Sequence, residues 1–155
     1  MPAILLQILL TPALTALVIF LTRRRRGQVA GWIAALSLFY TTCLAVLVTI
    51  EVYRGDVVFE EYLVIAPGIG LRLLADGLSA PTLAVILLLC TALAVYSIRY
   101  VEHRTEILYH SESTHAQAGY HARFFTLLLF FPAGFIGTIL STNLVAVYFF
   151  MEVLT

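Results

Sequence analysis

NLVAVYFFMEVLT, residues 143–155, is an apolar run with helical character that carries one acid, Glu152. An ionisable side chain in a hydrophobic segment is costly to desolvate, so it marks a proton or ion relay or a pair with a buried base. At about 1.5 Å per residue, the residues after Asn143 extend roughly 18 Å, short of a hydrocarbon core about 30 Å thick. With Asn143 at one interface, Glu152 lies about 13 Å in, near the midplane. The stretch therefore reads as the first half of a membrane-spanning helix. A chain end at that depth would need a covering partner or more polypeptide.

Composition places the whole chain in the same environment. Of 155 residues, 61% are hydrophobic and 12% charged, and the mean hydropathy is +0.98. A soluble domain is nearer half apolar and a quarter charged, so the sequence belongs to the membrane class and a soluble enzyme is excluded. Nine arginines balance nine acids, and there is no lysine. The zero net charge hides an asymmetry along the chain that sets the expected topology.

Residues 3–22 form a first apolar run long enough to span, with Pro12 expected to kink it. Its basic residues, Arg23–Arg26, follow the run instead of preceding it. That order rejects a cleaved signal peptide and predicts a permanent helix with its N-terminus outside. Beside a span, four arginines read as the positive-inside signal and not as a nucleic-acid patch. Residues 28–50 return across the membrane, with Trp32 near the first interface. Between Glu51 and Asp76 five acids face only Arg54 and Arg72, which suits the outer side. Within that loop Asp56–Ile65 is β-branched and aromatic, and Pro67, Gly68 and Gly70 mark a turn. A short hairpin or a surface-lying amphipathic element is expected.

Ser79 is the expected N-cap of a third span, Leu78–Ile98, with Pro81 in its first turn. From Arg99 to Arg123 the chain is polar and is expected to be an inner loop; loops 23–27 and 99–123 would then share the inner face with seven arginines. The fourth span runs from Phe124 to Ser141. Pro132 is expected to interrupt it, and Ala133, Gly137 and Ser141 recur every four residues as a face that another helix can approach closely. Counting spans places the turn Ser141–Asn143 outside. The fold class is thus an all-α membrane protein of four transmembrane helices and the first half of a fifth, divided into residues 1–74 and 75–155.

Neither metal nor nucleophile chemistry has a motif here. His103, His110, His115 and His121 have no ligand spacing and read as a solvated loop, with a local pH-sensitive surface as the alternative. Cys43 and Cys90 sit singly in apolar runs and read as small buried hydrophobes. No nucleotide loop or catalytic constellation is present, so no cofactor is expected and any redox chemistry would belong to other subunits.

ADGLSAPTLAVILLL (75–89) resembles the element that opens the third helix of the antiporter-like subunits of respiratory complex I and of Mrp-type cation/proton antiporters. FFTLLLFFPAGFIGTILSTNLVAVYFFMEVLT (124–155) resembles their fourth and fifth helices, and the M-like subunit is the nearest type. The resemblance covers 75–155 apart from the histidine-bearing segment, and is only topological over 1–74. It implies about fourteen helices with two inverted five-helix repeats, and a fifth-helix glutamate paired with a lysine on the seventh helix. Glu152 takes the glutamate's place, and the lysine has no counterpart. The implied function is the N-terminal portion of a proton-translocating subunit of an NADH:quinone oxidoreductase, in a prokaryotic cytoplasmic membrane or an organelle inner membrane. Its implied partners are the other membrane subunits, the lipid bilayer, and a chain supplying the rest of the fifth helix and the lysine. An Mrp-type Na+/H+ antiporter subunit and a non-pumping structural subunit are the alternatives.

Overall fold

The computed structural model describes residues 3–26, 29–55, 57–66, 69–108 and 114–154. Four long helices, α1 (Ile4–Arg26), α2 (Ala30–Tyr53), α3 (Ser79–Leu108) and α4 (Thr114–Leu140), run alternately up and down. A two-stranded hairpin, β1 (Val58–Ala66) and β2 (Ile69–Ala75), lies between α2 and α3, and a short helix, α5 (Leu144–Leu154), follows α4. All four long helices contain a stretch long and apolar enough to cross a membrane: Ile4–Thr22, Ala30–Tyr53, Ser79–Ile107 and Gly119–Leu140.

These segments are helical because backbone polar groups in an apolar environment must be satisfied within the segment. Their hydroxyls follow the same rule. Thr11, Thr15, Thr42, Thr91 and Thr126 each donate to the carbonyl four residues earlier, at 2.6–2.8 Å. Two hydroxyl pairs stitch helices together: Ser37 donates to Thr15 at 3.0 Å, and Thr42 meets Thr91 at 2.9 Å. The core alternates large and small side chains, with Leu5, Ile8, Leu38, Leu87, Phe125 and Leu129 against Ala16, Ala34, Ala45 and Ala94. Alanines at the crossings let backbones approach where lipid supplies no hydrophobic drive. The outward surface is itself apolar, with Leu21, Leu36, Leu89 and Leu127 all exposed. A belt of that kind fits a lipid-facing surface.

Helix ends explain the joints. Gly55 adopts a left-handed φ of 103° just past α2, the usual glycine stop. Asp76, not Ser79, caps α3: its Oδ1 accepts the Leu78 and Ser79 N–H groups at 3.1 and 2.7 Å. Ser79 Oγ accepts the Asp76 N–H in return at 2.8 Å, so the two residues form a reciprocal box with the acid in front. The hairpin is antiparallel, pairing Val58 with Ala75 and Glu61 with Arg72, and an irregularity between Glu61 and Leu63 leaves Tyr62 as the extra residue. Gly70 lies inside β2 opposite Val64 and not in the turn.

Several expectations need correcting. Residues 99–123 are mostly helix, since α3 continues to Leu108 and α4 begins at Thr114. The buried stripe Ala94, Ser97, Val101, Thr105 continues at helical spacing into the polar segment, so packing carries α3 on where polarity suggested a loop. α4 is continuous through a buried Pro132, where an interruption was expected. Cys90 is buried, whereas Cys43 is exposed, one position off the buried stripe Leu38, Thr42, Ala45. Asp56, Pro67, Gly68, His110 and Thr155 lie outside the described residues.

Candidate functional site

Glu152 is carried by α5, and the way α5 is attached determines what the acid faces. Asn143 opens the helix, its Oδ1 accepting the Val145 N–H at 3.0 Å and its carbonyl the Val147 N–H at 2.9 Å. The preceding turn is anchored to the hairpin: Thr142 N–H donates to the Arg72 carbonyl at 3.1 Å, and Leu73 bridges to Ser141. α5 then folds back along α4 over a surface of small residues. The Phe150 ring rests on Gly137 where any side chain would collide, and Leu154 Cγ lies 2.8 Å from where a Cβ on Gly134 would stand. Of the face expected at Ala133, Gly137 and Ser141, Gly137 receives α5 with Gly134 beside it, whereas Ser141 bridges to Leu73 of β2.

With Phe150 and Leu154 turned to α4, Glu152 is on the other side of α5 and is exposed. Val145, Tyr148, Phe149 and Met151 are also exposed there. Residues flanking the acid in sequence pack at Gly134 and Gly137, which lie inside the apolar stretch Gly119–Leu140.

A second carboxylate is placed with equal care and has no sequence signal. Glu60 reaches from β1 to the start of α1, where its Oε2 accepts the Leu6 N–H at 3.1 Å. It also accepts the Tyr62 hydroxyl. Leu6 N–H is one of the donors a helix start leaves without an intrahelical partner, and the acid complements the positive end of α1. Glu60 and Leu6 are 54 residues apart, which no local pattern reveals. Tyr62 responds to this setting. Burial first, then its hydrogen bond to Glu60 and that acid's charge, push its hydroxyl from 10.0 up to about 12.

His103 is exposed on α3, His121 is half-buried on α4 and His115 belongs to the start of α4. Among the described residues no three His, Cys, Asp or Glu side chains come together as metal ligands do.

Length, apolarity and packing of the four helices fit a helical membrane protein. No family model matches the chain, and a search of the curated proteins finds no match to it.

Proposed function

We propose that this chain is the N-terminal portion of an antiporter-like, proton-translocating membrane subunit of a complex I-type NADH:quinone oxidoreductase or a related complex, with Glu152 as its protonatable relay group. The observation that carries the reading is the mounting of Glu152. It sits on the exposed apolar side of a helix whose other side is seated on glycines of a stretch long and apolar enough to span. The resemblance of residues 75–89 and 124–155 to the antiporter-like subunits supplies the direction of the proposal, and the arginine bias of segments 23–27 and 99–123 supports an orientation with the N-terminus and the hairpin outside.

Desolvation raises a carboxylate's pKa and a nearby cation lowers it again, so moving that cation toggles whether the acid holds its proton. The 155 residues hold no lysine. In this reading the cation arrives on a helix from outside them and meets the exposed side of α5.

The test is proton translocation by the assembled membrane complex reconstituted in liposomes. Glu152→Gln is expected to lower pumping at least tenfold while leaving the complex assembled, and Glu152→Asp to retain part of it. Unchanged pumping in Glu152→Gln would leave a structural subunit, in which the acid only holds two helices together. Pumping that requires sodium would favour the Mrp-type alternative.

A further inference from the structure

At the arginine-bearing end of the bundle, α1 and α4 leave an open groove of about 510 Å3 lined by Leu17, Phe20, Arg123, Thr126, Leu127 and Phe130. The volume is that of a small-ligand cleft. Its only hydroxyl, Thr126, is spent on the Ala122 carbonyl at 2.7 Å. Among the described residues that leaves an apolar wall with one cation, Arg123. Arg123 is exposed and, among the described residues, makes no salt bridge.

The depth of that cation is defined. Arg123 lies 17 residues before Leu140, about 26 Å along α4. A hydrocarbon core is about 30 Å thick, so with the Ser141–Asn143 turn at one interface Arg123 stands at the headgroup level of the other. The same end of α1 continues from Phe20 into Arg23–Arg26.

We infer that this groove is a binding site for an anionic phospholipid, one acyl chain lying along Leu17, Phe20, Leu127 and Phe130 and the headgroup phosphate on Arg123. An arginine fork matches a phosphate's oxygens, and a single lipid supplies both the apolar body and the charge at the required spacing. A second copy of the same face, inserted in the same direction, would bring like charges together. A partner helix would need an acid placed at one level only. The lipid satisfies both conditions without further sequence.

Native mass spectrometry of the detergent-purified protein, supplied with phosphatidylglycerol or phosphatidylcholine, tests this. Phosphatidylglycerol is expected to be retained preferentially, and Arg123→Gln to lower that preference about fivefold, the effect of one arginine at an anionic surface. Arg99→Gln removes the same charge from the same end but outside the groove, and is expected to leave the preference intact. Leu127→Trp, at an exposed wall position, should lower retention of both lipids, with helicity by circular dichroism unchanged in all three variants. Equal losses in Arg99→Gln and Arg123→Gln would show a general charge effect and overturn the site. So would retention unchanged in Leu127→Trp, or displacement of the lipid by millimolar inorganic phosphate.

Discussion

At the hairpin end of the bundle both arginines sit beside an acid, Arg72 at 2.8 Å from Glu61 and Arg54 at 3.9 Å from Glu51. The remaining acids described there are occupied by backbone donors: Glu60 by the start of α1 and Asp76 by the start of α3. At the opposite end Arg99, Arg104 and Arg123 make no salt bridge among the described residues. One end sets its described charges against one another or against helix starts, Glu60 tying β1 to α1 while its Oε1 is buried without a hydrogen-bond partner among the described residues. The other leaves them for the surroundings, where arginines can set orientation and hold anionic lipid.

The largest effect should come from removing that imbalance. Arg23–Arg26→Gln is expected to convert a single membrane orientation into a mixture, because arginines flanking the first span dominate its insertion. In a background with Cys43 and Cys90 replaced by alanine, Val57→Cys and His103→Cys report on the two ends through membrane-impermeant thiol labelling. Before the arginines are removed only position 57 should label from outside. If position 103 labels from outside instead, the ends have been assigned the wrong way round.

Next in size is the joint that ties α5 to the hairpin end. Gly137→Leu puts a branched side chain where the Phe150 ring rests, and overpacking of this kind costs about 1–3 kcal/mol. The unfolding midpoint should fall and the Thr142 link to Arg72 should loosen with it. Gly119→Leu is the control, since nothing lies within 4 Å of a Cβ at that position. Equal losses in the two variants would mean that α5 is not seated on Gly137.

The contrast between the ends also explains what sequence reading could reach. The four spans, the hairpin and the small-residue face of α4 were legible because period, length and residue size encode them locally. The bias of arginines to one end was legible for the same reason. The helical extension past Arg99 was missed because local polarity outweighed a buried stripe, Ala94 to Thr105, that depends on a partner helix. Glu152 stood out as an acid in an apolar run, but that it faces away from α4 depends on Phe150 taking the glycine seat. Glu60 was invisible as a clasp, since its donor is 54 residues away.

Titration should separate the two capping devices of the hairpin end. Hydrogen bonds from the Ser79 and Leu78 backbone and the Ser79 side chain hold Asp76 below the ordinary carboxylate range. A depressed folded pKa stabilises above the unfolded value and is lost as pH falls through the folded one. Stability in acid should therefore decline in wild type and less so in Asp76→Asn, which starts lower. Tyr62 has the opposite sign. Its hydroxyl is raised from 10.0 to about 12, so its contribution is complete below pH 10.0 and is lost as pH climbs towards about 12. Tyr62→Phe should remove that part of the alkaline decline, read as the difference between the two thermal-stability profiles. An identical alkaline profile in Tyr62→Phe would detach Tyr62 from Glu60.

The smallest effect belongs to the ion pair itself. Glu61 and Arg72 face each other across the hairpin with side chains 34% and 40% exposed, and such pairs are worth about 0.2–1 kcal/mol. A double-mutant cycle with Glu61→Gln and Arg72→Gln should return a coupling in that range that shrinks as salt is added, because exposed charges are screened over about 10 Å at moderate ionic strength. The hydrogen bond from Thr142 uses the Arg72 carbonyl, which the substitution leaves in place, so the cycle isolates the side-chain pair. A coupling several times larger and indifferent to salt would put the hairpin in a low-dielectric layer. Its internal pairing would then answer exclusion of water and would no longer distinguish it from the arginine end.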